Sequence, residues 1–199
     1  MAVLIVTAIV IRIKLRKATE IPKGLQNFVE FIIETFDGMM KTSMGDKLSF
    51  LGSWFFTAFI FILASNMSGM FGLRPPTADW TTTFAMALVT LILIHAMALR
   101  YRPKNHLKSL FLEPIFIFFP LNLIGELARP ISLSFRLYGN VLAGFILLTM
   151  YYTLMPVALR FFIPIPIHIY FDLFSGFLQT YIFCILSMTF VGIAATDEQ

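Results

Sequence analysis

The chain reads as an all-α integral membrane protein. About five membrane helices are expected, two of them long and tilted, with a short hairpin or re-entrant segment and an interfacial amphipathic helix. Three observations predict this class. Of the 199 residues, 58% are hydrophobic and 13% charged, with a mean hydropathy of +0.84, which excludes an ordinary soluble domain of this length. The apolar residues fall in runs long enough to cross a bilayer. The basic residues gather between those runs, so the net charge of +4 reports membrane topology and marks no nucleic-acid patch. No internal repeat, low-complexity tract or linker divides the chain. Residues 1–199 are therefore one membrane domain: an incomplete first helix over 1–17, an amphipathic helix over 22–45 and a helical core over 48–199.

Ala2–Ile13 is apolar, yet a dozen or so residues fall short of the ~20 that span the hydrocarbon core. It is a clipped first helix, or one whose start lies upstream. Arg12, Lys14, Arg16 and Lys17 follow the run instead of preceding it, which argues against a signal peptide. By the positive-inside rule they place the N-terminus outside and the following residues in the cytoplasm. After the Pro22-Lys23-Gly24 break, Leu25, Phe28, Val29, Ile32, Ile33 and Phe36 recur at helical spacing, with Glu30, Glu34 and Asp37 among them. That pattern predicts an amphipathic helix along the cytoplasmic interface, which either caps the bundle or meets a partner subunit.

Leu48–Met70 is long enough to cross. It exits into the loop Phe71–Trp80, whose few charges, Arg74 and Asp79, place it outside, with Trp80 as an interfacial anchor. Thr81–Leu99 crosses back to the basic segment Arg100, Arg102, Lys104, Lys108, which belongs in the cytoplasm. Leu110–Leu123 holds Glu113-Pro114 and Pro120, so a hairpin or re-entrant piece fits better than a clean span. The run from about Leu121 to Met155 exceeds a perpendicular crossing, and tilt normally absorbs such surplus. Pro130 inside it frees the carbonyl of Glu126. Pro156, Pro164 and Pro166 bracket an external turn with Arg160 as its basic residue, and Ile167–Ala194 forms the second long helix before a cytoplasmic polar tail.

The chemistry concentrates in Glu126–Gly144, ELARPISLSFRLYGNVLAG. A charge at the centre of a spanning helix costs about 2.5 to 3.5 kcal/mol on the insertion scale, so Arg136 requires an interior, a water pocket or a partner charge. Arg129, Ser132, Arg136, Asn140 and Ala143 recur at steps of three and four and share one helix face, with Gly139 and Gly144 beside them. Leu133, Leu137, Leu142 and Phe145 fall opposite. Small residues along a polar stripe let another helix approach a fixed positive charge, which makes this face a docking surface.

On the last helix Asp172 and Gln179 lie seven apart, on one face, with Gly176 between them and Thr180 close by. Asp172 could pass on a proton or cation, or snorkel to the interface. Asp79, in PPTADWTTT, could line an entry funnel, although capping the helix that begins near Thr81 is the better reading of the residue alone. Glu126 could belong to an ion exit path, or pair with Arg129 at i, i+3. His95 and His168 have no second His at ligand spacing and no His/Cys cluster, so no metal or cofactor is expected; His168 sits one turn from Asp172, within reach of a local hydrogen bond. Cys184 stands alone in an apolar run and reads as core packing. No phosphate-cradling loop and no nucleophile elbow occur, so the chain alone is not expected to be an enzyme or to bind nucleotide.

With these residues in view, the chain resembles the subunit a family of F-type ATP synthases, the membrane stators beside a rotating c-ring. NLIGELARPISLSFRLYGN matches the family's central motif, and PTADWTTTFAMAL, FLEPIF and GFLQTYIF match its other marked stretches, from about Pro22 to the C-terminus and in the bacterial form. The resemblance implies that Arg136 is the stator arginine, Asn140 a polar neighbour, Gln179 the glutamine facing it from the last helix, and Asp79 the acid near the external inlet. Arg129, Gly139, Ala143 and Gly144 would face the rotor. Two positions depart from the pattern: Phe145 stands where some members have Glu, and Asp172 where those members have His, so Asp172 replaces the missing carboxylate.

The resemblance further implies two offset half-channels, entered past Asp79 and Asp172 and left near Glu126 and Ser132, carrying protons or sodium ions to and from c-ring carboxylates. Peripheral-stalk b subunits would be further partners, and the location a bacterial inner membrane, with the C-terminus cytoplasmic. A stand-alone secondary ion transporter is the alternative, disfavoured because the chain lacks repeat halves and paired broken helices.

Overall fold

The structure is a computed structural model that describes residues 25–103, 119–156 and 164–196. The short first helix, Lys104, Lys108 and most of the expected hairpin over Leu110–Leu123 lie outside the described residues. Among those described there is no strand. Four helical stretches are long and apolar enough to cross a membrane: Asp46–Phe71, Trp80–Tyr101, Ile124–Leu154 and Pro164–Ala195. The protein is an all-α, multi-pass membrane protein.

Helix α1, Leu25–Met44, is the expected amphipathic helix, but its apolar stripe divides. Phe36, Met40 and Met44 are buried, whereas Phe28 and Phe31 are each 64% exposed. Among the described residues, the buried positions of this helix lie in its second half. There Gly192 of the last helix approaches so closely that a Cβ on it would lie 2.6 Å from the backbone oxygen of Ser43. Gly45, at φ 75°, turns the chain into the first span, a conformation that side-chain-bearing residues rarely adopt.

Helix α2, Gly52–Met67, is extended at both ends by tight 3-10 turns, Asp46–Leu51 and Ser68–Phe71. The connecting loop then leads through Pro76–Ala78 into α3, Trp80–Tyr101. Asp79 starts α3 as its N-cap, the carboxylate Oδ1 accepting from the Thr81 backbone N–H at 3.2 Å. This satisfies one of the donors that every helix start leaves open.

Helix α4, Phe119–Leu154, contains 36 residues, about 54 Å at helical rise, against roughly 30 Å of hydrocarbon. Phe119 and Pro120 already belong to it, so that end of the expected hairpin is helical. The Trp80 ring, at the start of α3, stacks on Phe135 with centroids 5.8 Å apart. Leu133 and Leu137 are buried beside α3 residue Ala87, and farther along Gly144 meets Phe171 of the last helix. Phe145, placed by its spacing on the face opposite the polar stripe, is 37% exposed, because Gly144 is the residue that turns toward that neighbour.

The last helix, α5 (Pro164–Ala195), is the hub. Its buried positions include Gly176, Thr180, Cys184, Ser187 and Gly192, small residues that let neighbouring backbones come close where lipid supplies no hydrophobic drive between helices. It touches α1 through Gly192, α2 through Asn66, α3 through the Thr90–Ser187 hydroxyl pair at 3.4 Å, and α4 along an antiparallel seam. Two apolar clusters fill the rest. One joins Met40, Met44, Phe55, Met97, Met188 and Val191; the other joins Ile62, Ala87, Leu133, Leu137, Phe183 and Cys184.

Within α5 the segment Ile169–Ser175 is a π-helix. The Gly176 N–H reaches the carbonyl of Phe171, five residues back, so one extra residue is accommodated and the register changes. Asp172 and Gln179 therefore do not share a face as an unbroken α-helix would have them do. Phe171 takes the α4-facing place beside Gly144, and the Asp172 carboxylate turns toward Gly69, in the turn after α2.

Candidate functional site

The polar residues of α4 separate by face. Leu133, Ser134 and Leu137 are buried in the bundle. Arg129, Ser132, Arg136, Gly139, Asn140 and Ala143 are all exposed, a continuous open strip along the outer side of the helix. Gly144 is the exception to the expected set: it lies beneath the surface on Phe171 and does not belong to the open strip.

The two arginines of the strip differ in their surroundings. Arg129 contacts both carboxylate oxygens of Glu126 at 3.2 Å, and its guanidinium lies over the Phe190 ring, 5.7 Å from the centroid. Its charge is matched and its side chain is held from two sides. Arg136 has no ion-pair or hydrogen-bond partner among the described residues. It is also the only charged residue between Pro130 and Leu154. Arg136 is thus an open positive charge on the exposed strip, available to an anion.

One turn from Arg136, Asn140 Nδ2 donates to Gln179 Oε1 at 2.7 Å. Gln179 is 4% exposed, and its own Nε2 has no partner among the described residues. The amide pair thus joins α4 to α5 beside Arg136 and leaves one buried donor unused. An unmet buried donor costs about 1 to 3 kcal/mol, which the site would recover when an acceptor arrives.

Toward the α2–α3 loop a second polar cluster forms. The Asp172 side chain is 11% exposed, and the Nδ1 of His168 lies 2.6 Å from its Oδ2. Gly69 makes room for it: a Cβ there would stand 2.8 Å from Asp172 Oδ1. On its far side the His168 Nε2 lies 3.2 Å from the Tyr152 hydroxyl of α4. Nearby, buried Asn66 donates to the Gly176 carbonyl at 3.0 Å and to the Thr180 hydroxyl at 3.2 Å, and accepts from Thr77 at 2.7 Å. The loop that carries Asp79 is therefore tied to α5 beside Asp172. Asp79 itself is exposed and engaged as a helix cap.

The expected residues thus fall in three places: Arg136, Asn140 and Gln179 at the centre of the α4–α5 seam, Asp172 and Asp79 toward the α2–α3 loop, and Glu126 with Arg129 near the other end of α4, with Ser132 on the strip between. Asn66, Gly69, Thr77 and Tyr152 were not singled out from the sequence. An asparagine closing an apolar run, FILASNMSG, was a usable signal for Asn66, since an amide at that depth must find partners. Nothing local marked the other three.

A family model described as ATP synthase A chain matches residues 1–192. The chain belongs to that family. Among relatives of this ATP synthase A chain, one from Propionigenium modestum, named as a sodium ion specific subunit a, is 34% identical over 196 residues, covering 90% of this chain and 66% of its own. The subunit a of Moorella thermoacetica is 34% identical over 178 residues, covering 89% of this chain and 79% of its own. A second subunit a of Syntrophotalea carbinolica is likewise 34% identical, over 181 residues, with 88% and 75% covered. The resemblance drawn from the Arg136 motif is borne out. As an A chain, the protein is a component of the ATP synthase membrane sector.

Proposed function

We propose that this chain is the stator of a rotary membrane sector, in which Arg136 faces the carboxylates of a passing c-ring and two offset half-channels bring ions to them and take ions away. The observation that carries the proposal is the open strip of α4: a fixed charge without a partner, flanked by Gly139 and Ala143, which allow another helix close approach. A ring carboxylate in lipid must be neutral, because desolvation penalises its charged form. Opposite Arg136 the same group is stabilised as an anion. The ring then cannot turn past the arginine without releasing its ion on one side and gaining another on the other. The buried Gln179 Nε2 supplies a neutral donor at the same place.

The outer half-channel runs by Asp79 and Asp172 and the inner one by Glu126 and Ser132. The ion is a proton or, as the name of the Propionigenium relative states for that protein, sodium. The fixed charge of Arg136 repels cations that would otherwise leak directly between the two paths. Each unit charge moved supplies about 2.3 kcal/mol per 100 mV, so several are required for one synthesis. The partners are the c-ring and peripheral-stalk b subunits, and nucleotide chemistry belongs to other chains of the complex.

The basic end of the bundle supports the orientation. Arg102 Nη1 donates to the Thr196 carbonyl at 2.8 Å, so the C-terminal end of α5 lies beside the Arg100–Arg102 segment; the positive-inside rule supports a cytoplasmic side for both, with the N-terminus external, in a bacterial plasma membrane.

The test is ATP-driven ion pumping in inverted vesicles carrying Arg136→Ala beside the parent, with assembly checked by co-purification. Intact assembly with pumping abolished is the expected result. Persistent pumping would move the essential charge elsewhere.

A further inference from the structure

Two side chains outside the expected path touch it. Asp172 is joined through His168 to Tyr152, with 2.6 Å from Asp172 Oδ2 to Nδ1 and 3.2 Å from Nε2 to the phenol oxygen. The three residues come from two helices, α4 supplying Tyr152 and α5 the others. Their exposure is graded: Tyr152 is 41% exposed, the His168 side chain 23% and the Asp172 side chain 11%. A hydrogen-bonded series with a titratable ring in the middle and a carboxylate at the inner end is the form of a proton relay.

We propose that Tyr152 and His168 extend the outer half-channel beyond Asp172 and deliver protons to it, which makes this entrance selective for protons over sodium. The proposal rests on the reading of Asp172 as a member of the ion path. The step balances as follows. With the imidazole neutral and its proton on Nδ1, a proton from outside reaches the Tyr152 oxygen while the phenol proton passes to His168 Nε2. The Nδ1 proton then passes to Asp172 Oδ2. One proton has entered and one has arrived. The ring resets when its remaining proton exchanges from Nε2 back to Nδ1, and pumping runs the same series in reverse.

The surroundings argue against a sodium entrance. A hard cation needs several oxygen ligands, and imidazole nitrogen is poorly suited to it. At Asp172 one carboxylate oxygen is taken by the ring nitrogen, and the other faces the open side of Gly69. The nearby oxygens of Asn66, Thr77 and Gly176 are committed to hydrogen bonds among themselves and with Thr180. Among the described residues, the groups that face the imidazole are Tyr152, whose ring meets Tyr151 edge-on at 6.2 Å, and Asp172. The packed segment from Gly52 to Phe71 contains no titratable residue, so no other group there supplies or takes the proton.

The experiment uses the assembled complex in inverted vesicles, with ATP-driven acidification followed in sodium-free buffer and after sodium addition. Asp172→Asn is expected to abolish pumping. His168→Ala should lower it by about a hundredfold or more, the lower range of a lost acid–base group, and added imidazole should restore much of the loss. Tyr152→Phe, which keeps the ring, should lower it severalfold. The parent should pump without sodium and at the same rate with it. His168→Gln guards against an assembly defect, since it retains bulk and hydrogen bonding without a second protonation. If it pumps at the parental rate while Asp172→Asn is inactive, the relay is wrong and the ion-path reading survives. Unaffected pumping in Asp172→Asn would overturn both. Loss in His168→Ala without imidazole rescue assigns the ring a structural role and overturns the proposal. A sodium requirement in the parent overturns the proton assignment.

Discussion

Arg129 and Arg136 are seven residues apart on one face of one helix, yet their electrostatic situations are opposite. Glu126 and the Phe190 ring occupy Arg129, so its charge is largely spent within the chain, while that of Arg136 is open. Arg129→Ala is accordingly expected to change pumping by less than about fivefold, the scale of an exposed ion pair, against complete loss in Arg136→Ala; pumping measured side by side in the two variants decides this. The Asn140–Gln179 bond makes a different prediction. Because either truncation breaks the same contact, the double variant Asn140→Ala/Gln179→Ala should pump no worse than the poorer single one. Full additivity of the two losses would mean that they act independently. The sequence made the helical faces of these residues legible, since spacing alone sets them. It left open whether Asp79 and Glu126 were spent locally, and the cap on Thr81 and the pair with Arg129 decide those local roles.

At the scale of elements, the π-turn at Ile169–Ser175 matters most. Deleting Leu173 would return α5 to a continuous α-helix and rotate Pro164–Asp172 by about 100° relative to Gly176 onward. Asp172 would leave Gly69 and His168 would leave Tyr152. The expected outcome is an assembled complex whose pumping is lost; retained pumping would show that the turn is incidental. Gly192 makes a structural prediction at the other end of the helix. Gly192→Ala would press a methyl group against the backbone of Ser43, which cannot yield as a flexible side chain does. Destabilisation of about 1 to 3 kcal/mol is expected, read as a lowered unfolding temperature of the purified complex, with α1 becoming open to protease before the spans do. Helix limits were legible to within a few residues because runs of apolar residues end at charges and prolines. The π-turn was not, because no local sequence signal distinguishes it from an α-helix with the same residues.

For the whole molecule, the orientation is testable with single cysteines. In a Cys184→Ala background, Arg74→Cys in the outer loop should react with a membrane-impermeant maleimide from outside intact cells, and Lys41→Cys on α1 only after the cells are opened. The reverse pattern would invert the topology. Both positions are exposed, while Cys184 is buried. Composition, run length and charge placement determined by themselves that this chain crosses a membrane several times, which ends are basic, and that Arg136 lies on a polar helix face. These follow from transfer energies and helical periodicity, which act on each segment alone. Only the tertiary structure decided that α4 packs on both α3 and α5, that Asn140 meets Gln179 and Tyr152 meets His168, and that Arg129 is held while Arg136 is left open. Those contacts join residues far apart in the chain, and the small side chains of α5 and the one-residue shift of its π-turn set how closely, and in what register, the helices pack.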